Sequence, residues 1–474
     1  MNFKEEPRKK SKKKINIVAA IVGFVICLVV GFFVGKLNGT TLINVPQSSS
    51  NKILEVYDIL KNDWFNTGEE LNIDETLANA MVSSLGDPYN SYFTQDGLTS
   101  FNDNINKNYE GIGVAFNVST GVPIITEVYA GSPAAAAGLQ DGDILTSVDG
   151  VTLEGMSSED IASRVKGESG TSVVIGVLRG QENLEFCVTR QAVDYSALYE
   201  LKESNGKSFG LITLSSFGTS TASHVKEALD YFVSQSIDTI VLDLRDNPGG
   251  YLQAAKGILD LFLKEGQTEF IIEEKDGKQT SYVSENNEPY IFKHGYILMN
   301  GSSASASEVV AGALQEVLGY QVVGSQSYGK GVAQTQKTLS DLSVVKYTYA
   351  KWLLPSGESI DKVGITPDVE VDNIDTSELY TFTIDEPLTS DIVDERVIQL
   401  QKMLAILGYE VDRQDGYFSE NTKEALMNFE RDHGLTEDGE FSNDDKEQLI
   451  NEVVAYVYSE ENDAQLKKVE ELIQ

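Results

Sequence analysis

The sequence predicts a multidomain α/β protein. An N-terminal transmembrane helix is followed by a helical segment, a β-rich module, an α/β core and a small C-terminal helical module. Three observations predict this architecture: an uncharged run at residues 15–35, short strands separated by glycines at 109–190, and strands alternating with helices from residue 209. A chain of 474 residues is long enough for about two to four domains.

The N-terminus has the pattern of a membrane anchor. Residues 1–14 carry seven Lys or Arg against two Glu, and residues 15–35 carry no charge. A helix of this length spans the hydrocarbon core of about 30 Å, and the basic flank places the N-terminus in the cytoplasm. We therefore expect a single-pass cell-membrane protein that is extracytoplasmic after a linker at 36–50. A cleaved signal peptide is the alternative, but no A-x-A-type site follows the run.

Composition narrows the classes of function. The formal net charge of −36 argues against nucleic acid as a partner, because binding it requires a basic face. Cys27 lies within the apolar run and Cys187 far from it, so no internal disulfide is expected. Asp243 and Asp246 flank Arg245 without a nearby histidine, which favours a structural ion pair over a metal site. We expect neither a metal nor a cofactor.

Pattern and composition also predict the order of the domains. The alternating strands and helices indicate a largely parallel sheet, and such sheets bind ligands beyond the carboxyl ends of their strands. The predicted ranges are a helical part at 51–106, the β-rich module at 107–192, the core at 193–375, an acidic linker at 376–392, the helical module at 393–450 and a charged, solvated terminal helix at 451–474.

The stretch "NGSSASASEVV" (300–310) joins an apolar strand to an apolar helix. Ser305 and Glu308 fit the capping box S-x-x-E, so a purely structural role is one interpretation. A nucleophilic serine needs a base, and the chain has only three histidines. His294 precedes its strand instead of following one, so a Ser-His-Asp triad has little support.

A lysine is the better candidate base. Lys330 lies between two glycines in "YGKGVAQ", four positions before Gln334, and this spacing places both side chains on one face of a helix or strand. Burial disfavours the ammonium form, so a buried lysine can lose its proton and act as a base. The alternative is an ordinary solvated loop lysine.

These motifs resemble the carboxy-terminal processing peptidases, a family of Ser-Lys serine proteases. "SSASASE" matches the family pattern G-[ST]-A-S-A-S-E with Ser302 in place of Gly, and "YGKGVAQ" matches F/Y-G-K-G-x-x-Q at the family spacing. "LGDPYNSYF" (85–93) and "LDLRDNPGG" (242–250) also look like family blocks. The resemblance implies that Ser305 is the nucleophile, Lys330 the base and Gln334 the residue that orients the base.

Cleavage of a peptide also requires donors for the oxyanion. The backbone N–H of Ala306 and that of Gly249 or Gly250 are the candidates, because "NPGG" leaves backbone amides free at a neighbouring strand end.

Two further modules resemble known binding domains. Residues 107–192 resemble a PDZ domain, which implies that proteins with accessible C-termini bind at Gly111, Ile112, Gly113 and Val114. Residues 393–450 resemble the peptidoglycan-binding type 1 domain, with Glu430 where the family commonly has Gln. The alternatives for this last module are a helical spacer or a dimer element, and the second would make the protein a homodimer.

The resemblances predict a membrane-anchored serine endopeptidase that recognises protein C-termini and cleaves exported or envelope substrates. The alternative is a catalytically idle PDZ scaffold bound to the cell wall. A β-lactam-type Ser-Lys enzyme would need S-x-x-K that begins at the nucleophile, whereas the residue three positions after Ser305 is Glu308.

Overall fold

The computed structural model describes residues 50–65, 72–106, 108–118, 123–129, 132–153, 155–180, 182–194, 196–376, 378–380, 382–457 and 459–473. The predicted transmembrane helix at 15–35 lies outside these ranges. Among the helices within them, none combines the length and the apolar character needed to cross a bilayer. The chain divides into two compact units, Met1–Met81 and Val82–Gln474.

The first unit, where described, consists of two helices. Helix α1 is Ser50–Asn62, and helix α2, Ile73–Ser83, begins in this unit. The Tyr57 hydroxyl donates a 2.5 Å hydrogen bond to Asp74, and Lys61 forms an ion pair with the same carboxylate at 3.3 Å. These contacts join α1 to the first turn of α2.

The β-rich module is closed by a short antiparallel ladder between its two ends, β2 and β9. Its main sheet has the order β3-β4-β5-β7-β8, with β6 paired to β5. Helices α4 and α5 each begin at a serine whose hydroxyl accepts a backbone N–H, as Ser/Thr caps do. The elements are β2 Asn108–Gly111, β3 Val114–Asn117, β4 Ile124–Val128, α4 Pro133–Ala137, β5 Ile144–Val148, β6 Val151–Thr152, α5 Ser158–Val165, β7 Ser172–Arg179, β8 Glu182–Thr189 and β9 Gln191–Asp194.

The core contains the predicted, largely parallel sheet, in the order β10-β11-β12-β15-β16-β19. Only the edge strand β10 pairs antiparallel, and each of the other pairings is parallel. Helices α6, α7 and α8 cover one face through a single apolar cluster. The elements are β10 Ala197–Ser204, β11 Lys207–Leu214, α6 Thr221–Ser234, β12 Thr239–Asp243, α7 Leu252–Phe262, β15 His294–Met299, α8 Ala306–Leu318, β16 Gln321–Gly324 and β19 Val369–Glu370.

A second, antiparallel sheet lies beside this core, in the order β1-β18-β13-β14 with β17 paired to β18. The last three residues of the family block at 85–93 form β1, which pairs antiparallel with β18. The elements are β1 Ser91–Phe93, α3 Gln95–Asn106, β13 Thr268–Glu274, β14 Gln279–Val283, β17 Val332–Thr338 and β18 Val344–Leu353.

The C-terminal module is built from helices α9 Glu395–Ile406, α10 Glu420–His433 and α11 Asn443–Val457. Residues 376–392 were expected to be a linker, yet Ile384 and Leu388 are buried in the apolar cluster of this module. Apolar side chains of this acidic segment pack against the helices of the module.

The predicted solvated helix at 451–474 is also corrected by the structure. Helix α11 ends at Val457, a short 3-10 turn follows at Glu460–Asn462, and helix α12 is Ala464–Leu472. Leu466 and Val469 of α12 are buried against the face of the core sheet opposite α6–α8. Among the charged residues of this run lies an apolar stripe that packs on the core sheet.

Candidate active site

A pocket of about 380 Å³ lies at the carboxyl edge of the parallel sheet. The loops that follow β12, β15 and β16 meet there, as expected for a sheet of this kind. The structure brings Ser305, Lys330, Gln334, Gly249 and Gly250 together in the pocket wall.

Ser305 occupies the turn between β15 and α8. Its backbone has φ 57° and ψ −113°, a conformation that side-chain-bearing residues rarely adopt. The hydroxyls of Ser303 and Ser307 are buried and donate to the backbone carbonyls of Leu244 and Asn247. These two serines fasten the turn to the loop after β12, whereas Ser305 lines the pocket.

Glu308 caps α8 as the S-x-x-E pattern predicts, but it does more than this. Its Oε2 accepts the backbone N–H of Ser305 at 2.7 Å and that of Lys330 at 2.9 Å. Its Oε1 accepts the Ser327 hydroxyl and the Gly329 N–H, each at 2.6 Å. A fully buried carboxylate therefore ties the serine turn to the lysine loop with four hydrogen bonds.

Lys330 has an environment that favours the neutral amine. Burial, then the like charge of Lys346, lowers the pKa of Lys330, and the carboxylates of Glu308 and Asp87 oppose this. The Trp352 indole donates to the Lys330 carbonyl at 2.8 Å and fixes its backbone. The Lys330 Nζ lies 4.8 Å from the centroid of the Tyr89 ring.

The structure does not join the three proposed catalytic side chains to one another by hydrogen bonds. Within the described ranges, no hydrogen bond joins the Ser305 hydroxyl to the Lys330 amine. The Gln334 amide nitrogen donates to the Val332 carbonyl at 3.2 Å, and not to Lys330. Such bonds commonly shorten only when substrate is bound, so the three residues remain candidates.

The structure shows which of the candidate oxyanion donors are available. The Gly249 N–H donates to the Asn247 side chain at 2.9 Å, which removes it from the candidates. Gly250 lines the pocket, and Ala306 is the first residue of α8, where a backbone N–H has no partner within the helix. Gly250 and Ala306 therefore remain.

Gly249 still has a steric role beside the serine. Its φ is 97°, and an added Cβ would lie 2.7 Å from the Ala304 carbonyl oxygen and 2.9 Å from the Ala306 nitrogen. No side chain fits at such distances, so this close approach requires glycine.

Other polar candidates lie elsewhere or have structural partners. His294 begins β15, whereas Ser305 follows the opposite end of that strand. His294 therefore cannot serve as the base for Ser305. Arg245 forms the expected ion pair with Asp243 at 2.6 Å, and a second at 2.7 Å with Asp463, beside α12. Asp246 accepts a hydrogen bond from the Asn300 side chain.

A second groove, of about 290 Å³, lies between β3 and α5 of the β-rich module. Gly111, Ile112, Gly113 and Val114 all line it. An unpaired strand edge facing a helix is the arrangement in which PDZ domains add a peptide as a further strand. Ser215 of the core also lines this groove.

Sequence reasoning missed Tyr89, which contacts Lys330, and several residues that line the pocket. Tyr89 comes from the block "GDPYNSYF", Phe101 from α3, and Lys346 and Trp352 from β18. The family block "GDPYNSYF" was the one signal in the sequence that could have pointed to Tyr89. Nothing in the spacing of this block indicated that it contacts Lys330.

The fold and this pocket define a serine-type peptidase, and comparison with known proteins gives the family. Residues 208–371 match peptidase family S41, residues 124–179 a PDZ domain and residues 393–448 a putative peptidoglycan binding domain. The chain is 32% identical over 420 residues to the carboxy-terminal processing protease CtpB of Bacillus subtilis, covering 88% of this chain and 87% of that protein.

Two further proteins are similar to the chain. A probable CtpA-like serine protease of Staphylococcus aureus is 31% identical, over 89% of this chain and 84% of its own length. The solved photosystem II D1 C-terminal processing protease is 26% identical, over 68% of this chain and 87% of that one, with a TM-score of 0.43. The chain belongs to the carboxy-terminal processing proteases of peptidase family S41.

Proposed function

We propose that the protein is a membrane-anchored serine endopeptidase that cleaves exported or envelope proteins by a Ser-Lys mechanism, with Ser305 as nucleophile and Lys330 as base. The observation that carries this proposal is that both side chains line one pocket. The lowered pKa of Lys330, caused first by burial, supports it. The idle-scaffold alternative loses support, because the chain belongs to a peptidase family and retains both residues.

In the proposed reaction, the Ser305 Oγ attacks the carbonyl carbon of the substrate while the Lys330 Nζ accepts the hydroxyl proton. The amine must first leave the Tyr89 ring, which the flexible lysine side chain allows. The carbonyl oxygen becomes an oxyanion beside the N–H groups of Gly250 and Ala306.

Collapse of this intermediate breaks the C–N bond, and the Lys330 ammonium returns its proton to the leaving amine. The acyl group then remains on Ser305 as an ester. Water attacks the ester with Lys330 again as base, which releases the new C-terminus and restores the hydroxyl of Ser305. Gln334 orients the lysine during both halves of the reaction.

The test of this mechanism is cleavage of an unstructured protein with an apolar C-terminus. The chain from residue 40 onward should cleave it, and the Ser305→Ala variant should not, while its circular dichroism spectrum stays unchanged. Ser302→Ala, which alters an exposed hydroxyl of the same turn, is the matched control. Equal cleavage by Ser305→Ala would remove Ser305 from the mechanism.

We further propose that the PDZ groove holds substrate C-termini and that the last module binds peptidoglycan. An amidated peptide should bind the groove more weakly than the free acid if backbone amides hold the carboxylate. The chain should sediment with purified peptidoglycan, and a chain that ends at residue 375 should not. Sedimentation of the shortened chain would make the last module a spacer.

The anchor and the location form one proposal, supported by the uncharged run at 15–35 and its basic flank. In cells, the full chain should fractionate with membranes, and protease added outside should digest it after the wall is removed. A chain without residues 15–35 that stayed with the membrane would contradict this proposal.

A further inference from the structure

A second lysine, Lys346, lines the same pocket as Ser305 and Lys330. Lys346 on β18 pairs with Gln336 on β17, and Thr348 pairs with Gln334. Directly opposed residues of an antiparallel pair share a face, as do residues two apart on one strand. The hairpin therefore presents Lys346 on the face that carries Gln334, which is the face of the catalytic pocket.

Two aromatic rings attract the positive charge of Lys346, while burial lowers the pKa of its amine. Its Nζ lies 4.5 Å from the centroid of the Phe101 ring and 5.7 Å from that of Phe93. The faces of aromatic rings attract a cation. Within the described ranges, no carboxylate lies within ion-pair distance of this half-buried amine.

We propose that Lys346 is a positioning residue of the catalytic pocket, whose charge keeps the amine of Lys330 in its unprotonated form. This inference rests on the proposed role of Lys330 as the base. Two ammonium groups in one poorly solvated pocket repel each other, so the more deeply buried one releases its proton first. Lys330 is the more deeply buried of the two.

Two carboxylates that face Lys330 favour its ammonium form, so a positive charge such as that of Lys346 is needed to oppose them. Glu308 on α8 and Asp87 in the turn before β1 both favour the ammonium form. Burial raises the pKa of Tyr89 to about 12, so its ring contributes no charge. Apart from burial, the charge of Lys346 is therefore what opposes the two carboxylates.

The experiment is the pH dependence of Ser305 phosphonylation by a small fluorophosphonate probe, in which the serine oxygen displaces fluoride from phosphorus, measured on the full chain in detergent. The probe needs neither the PDZ groove nor a peptide, so it reports on the nucleophile and its base alone. Rates are compared for the wild type, Lys346→Met, Lys346→Arg and the control Lys351→Met. Lys351 is exposed on the same strand and does not line the pocket.

In Lys346→Met, the acid limb of the profile should move to higher pH. The rate should fall about fivefold or more near pH 7, and it should recover toward the wild-type rate above about pH 9. Lys346→Arg should keep the wild-type profile because it keeps the charge. Lys351→Met should also match the wild type.

Three results would overturn the inference. The first is an acid limb of the pH profile that is unchanged in Lys346→Met, and the second is an acid limb that moves as far in Lys346→Arg as in Lys346→Met. The third is a rise in KM for peptide cleavage by Lys346→Met with no change in its pH profile. The last result would make Lys346 a substrate-binding residue. Failure of the base proposal is distinguished by Lys330→Ala, which would then still be phosphonylated at the wild-type rate.

Discussion

Glu308 accepts the backbone N–H of Lys330 at 2.9 Å, although 22 positions separate the two residues in the chain. The same carboxylate oxygen accepts the backbone N–H of Ser305 at 2.7 Å. One buried side chain thus sets the distance between the proposed nucleophile and the proposed base. The helix cap suggested by the sequence is therefore part of the proposed catalytic geometry.

Glu308→Gln should lower kcat about tenfold or more, because an amide nitrogen would oppose backbone N–H donors that now have an acceptor. The change also removes a negative charge that raises the pKa of Lys330, so the acid limb of the rate profile should move to lower pH. This displacement is opposite in sign to the one expected for Lys346→Met. Glu358→Gln, which removes an exposed charge of the same domain, is the control.

Activity should rise with pH until the Lys330 amine is neutral, since only the neutral form accepts a proton. Lys330→Arg should be as inactive as Lys330→Ala, with losses of about a hundredfold or more, because a guanidinium stays charged. Gln334→Ala should keep measurable activity, since its amide bonds to the Val332 carbonyl and carries no proton of the reaction. Rates of cleavage for the three variants across pH test this, and near-normal turnover by Lys330→Arg would exclude lysine as the base.

Gly249→Ala should reduce kcat about a hundredfold or more, because its Cβ would push the serine turn away from the glycine loop. Gly301→Ala, in the turn that precedes Ser305, should be tolerated. There the nearest atom to an added Cβ is 3.9 Å away. Cleavage assays of both variants test the steric argument, and equal activity of the two would refute it.

Glu430 makes the stability of the C-terminal module depend on pH. Burial raises its pKa to about 7 from a usual value of 4.5, and Asp445 and Asp438 add to the rise. Between these two pH values, the folded module keeps a proton that the unfolded chain releases, so stability falls as pH increases through this window.

Glu430→Gln should therefore raise the melting temperature at about pH 8 by roughly 4 °C or more, and by less near pH 5. The amide oxygen can still accept the N–H groups of Asp438 and Gly439. Calorimetry at both pH values measures the difference. Glu424→Gln, exposed on the same helix, is the control, and equal gains at both pH values would show that Glu430 is not the titrating group.

The sequence by itself determined those features that depend on local pattern. Alternating strands and helices gave the parallel sheet, and the carboxyl ends of its strands gave the location of the pocket. The resemblance of "SSASASE" and "YGKGVAQ" to a peptidase family was sufficient to propose Ser305 and Lys330 before any coordinates, and the structure places both in one pocket. The Asp243–Arg245 ion pair was also predictable, because its members are two positions apart.

Only the tertiary structure decided which distant residues meet at that pocket. Tyr89 reaches Lys330 because β1 pairs with β18, and Lys346 faces the pocket because of the register between β17 and β18. Neither pairing leaves a trace in the local sequence. Helix α12 has the composition of a solvated helix, yet it packs on the core sheet through the buried apolar side chains of Leu466 and Val469. Local patterns depend on the chemistry of neighbouring residues, whereas these contacts depend on where the whole chain places its apolar surface.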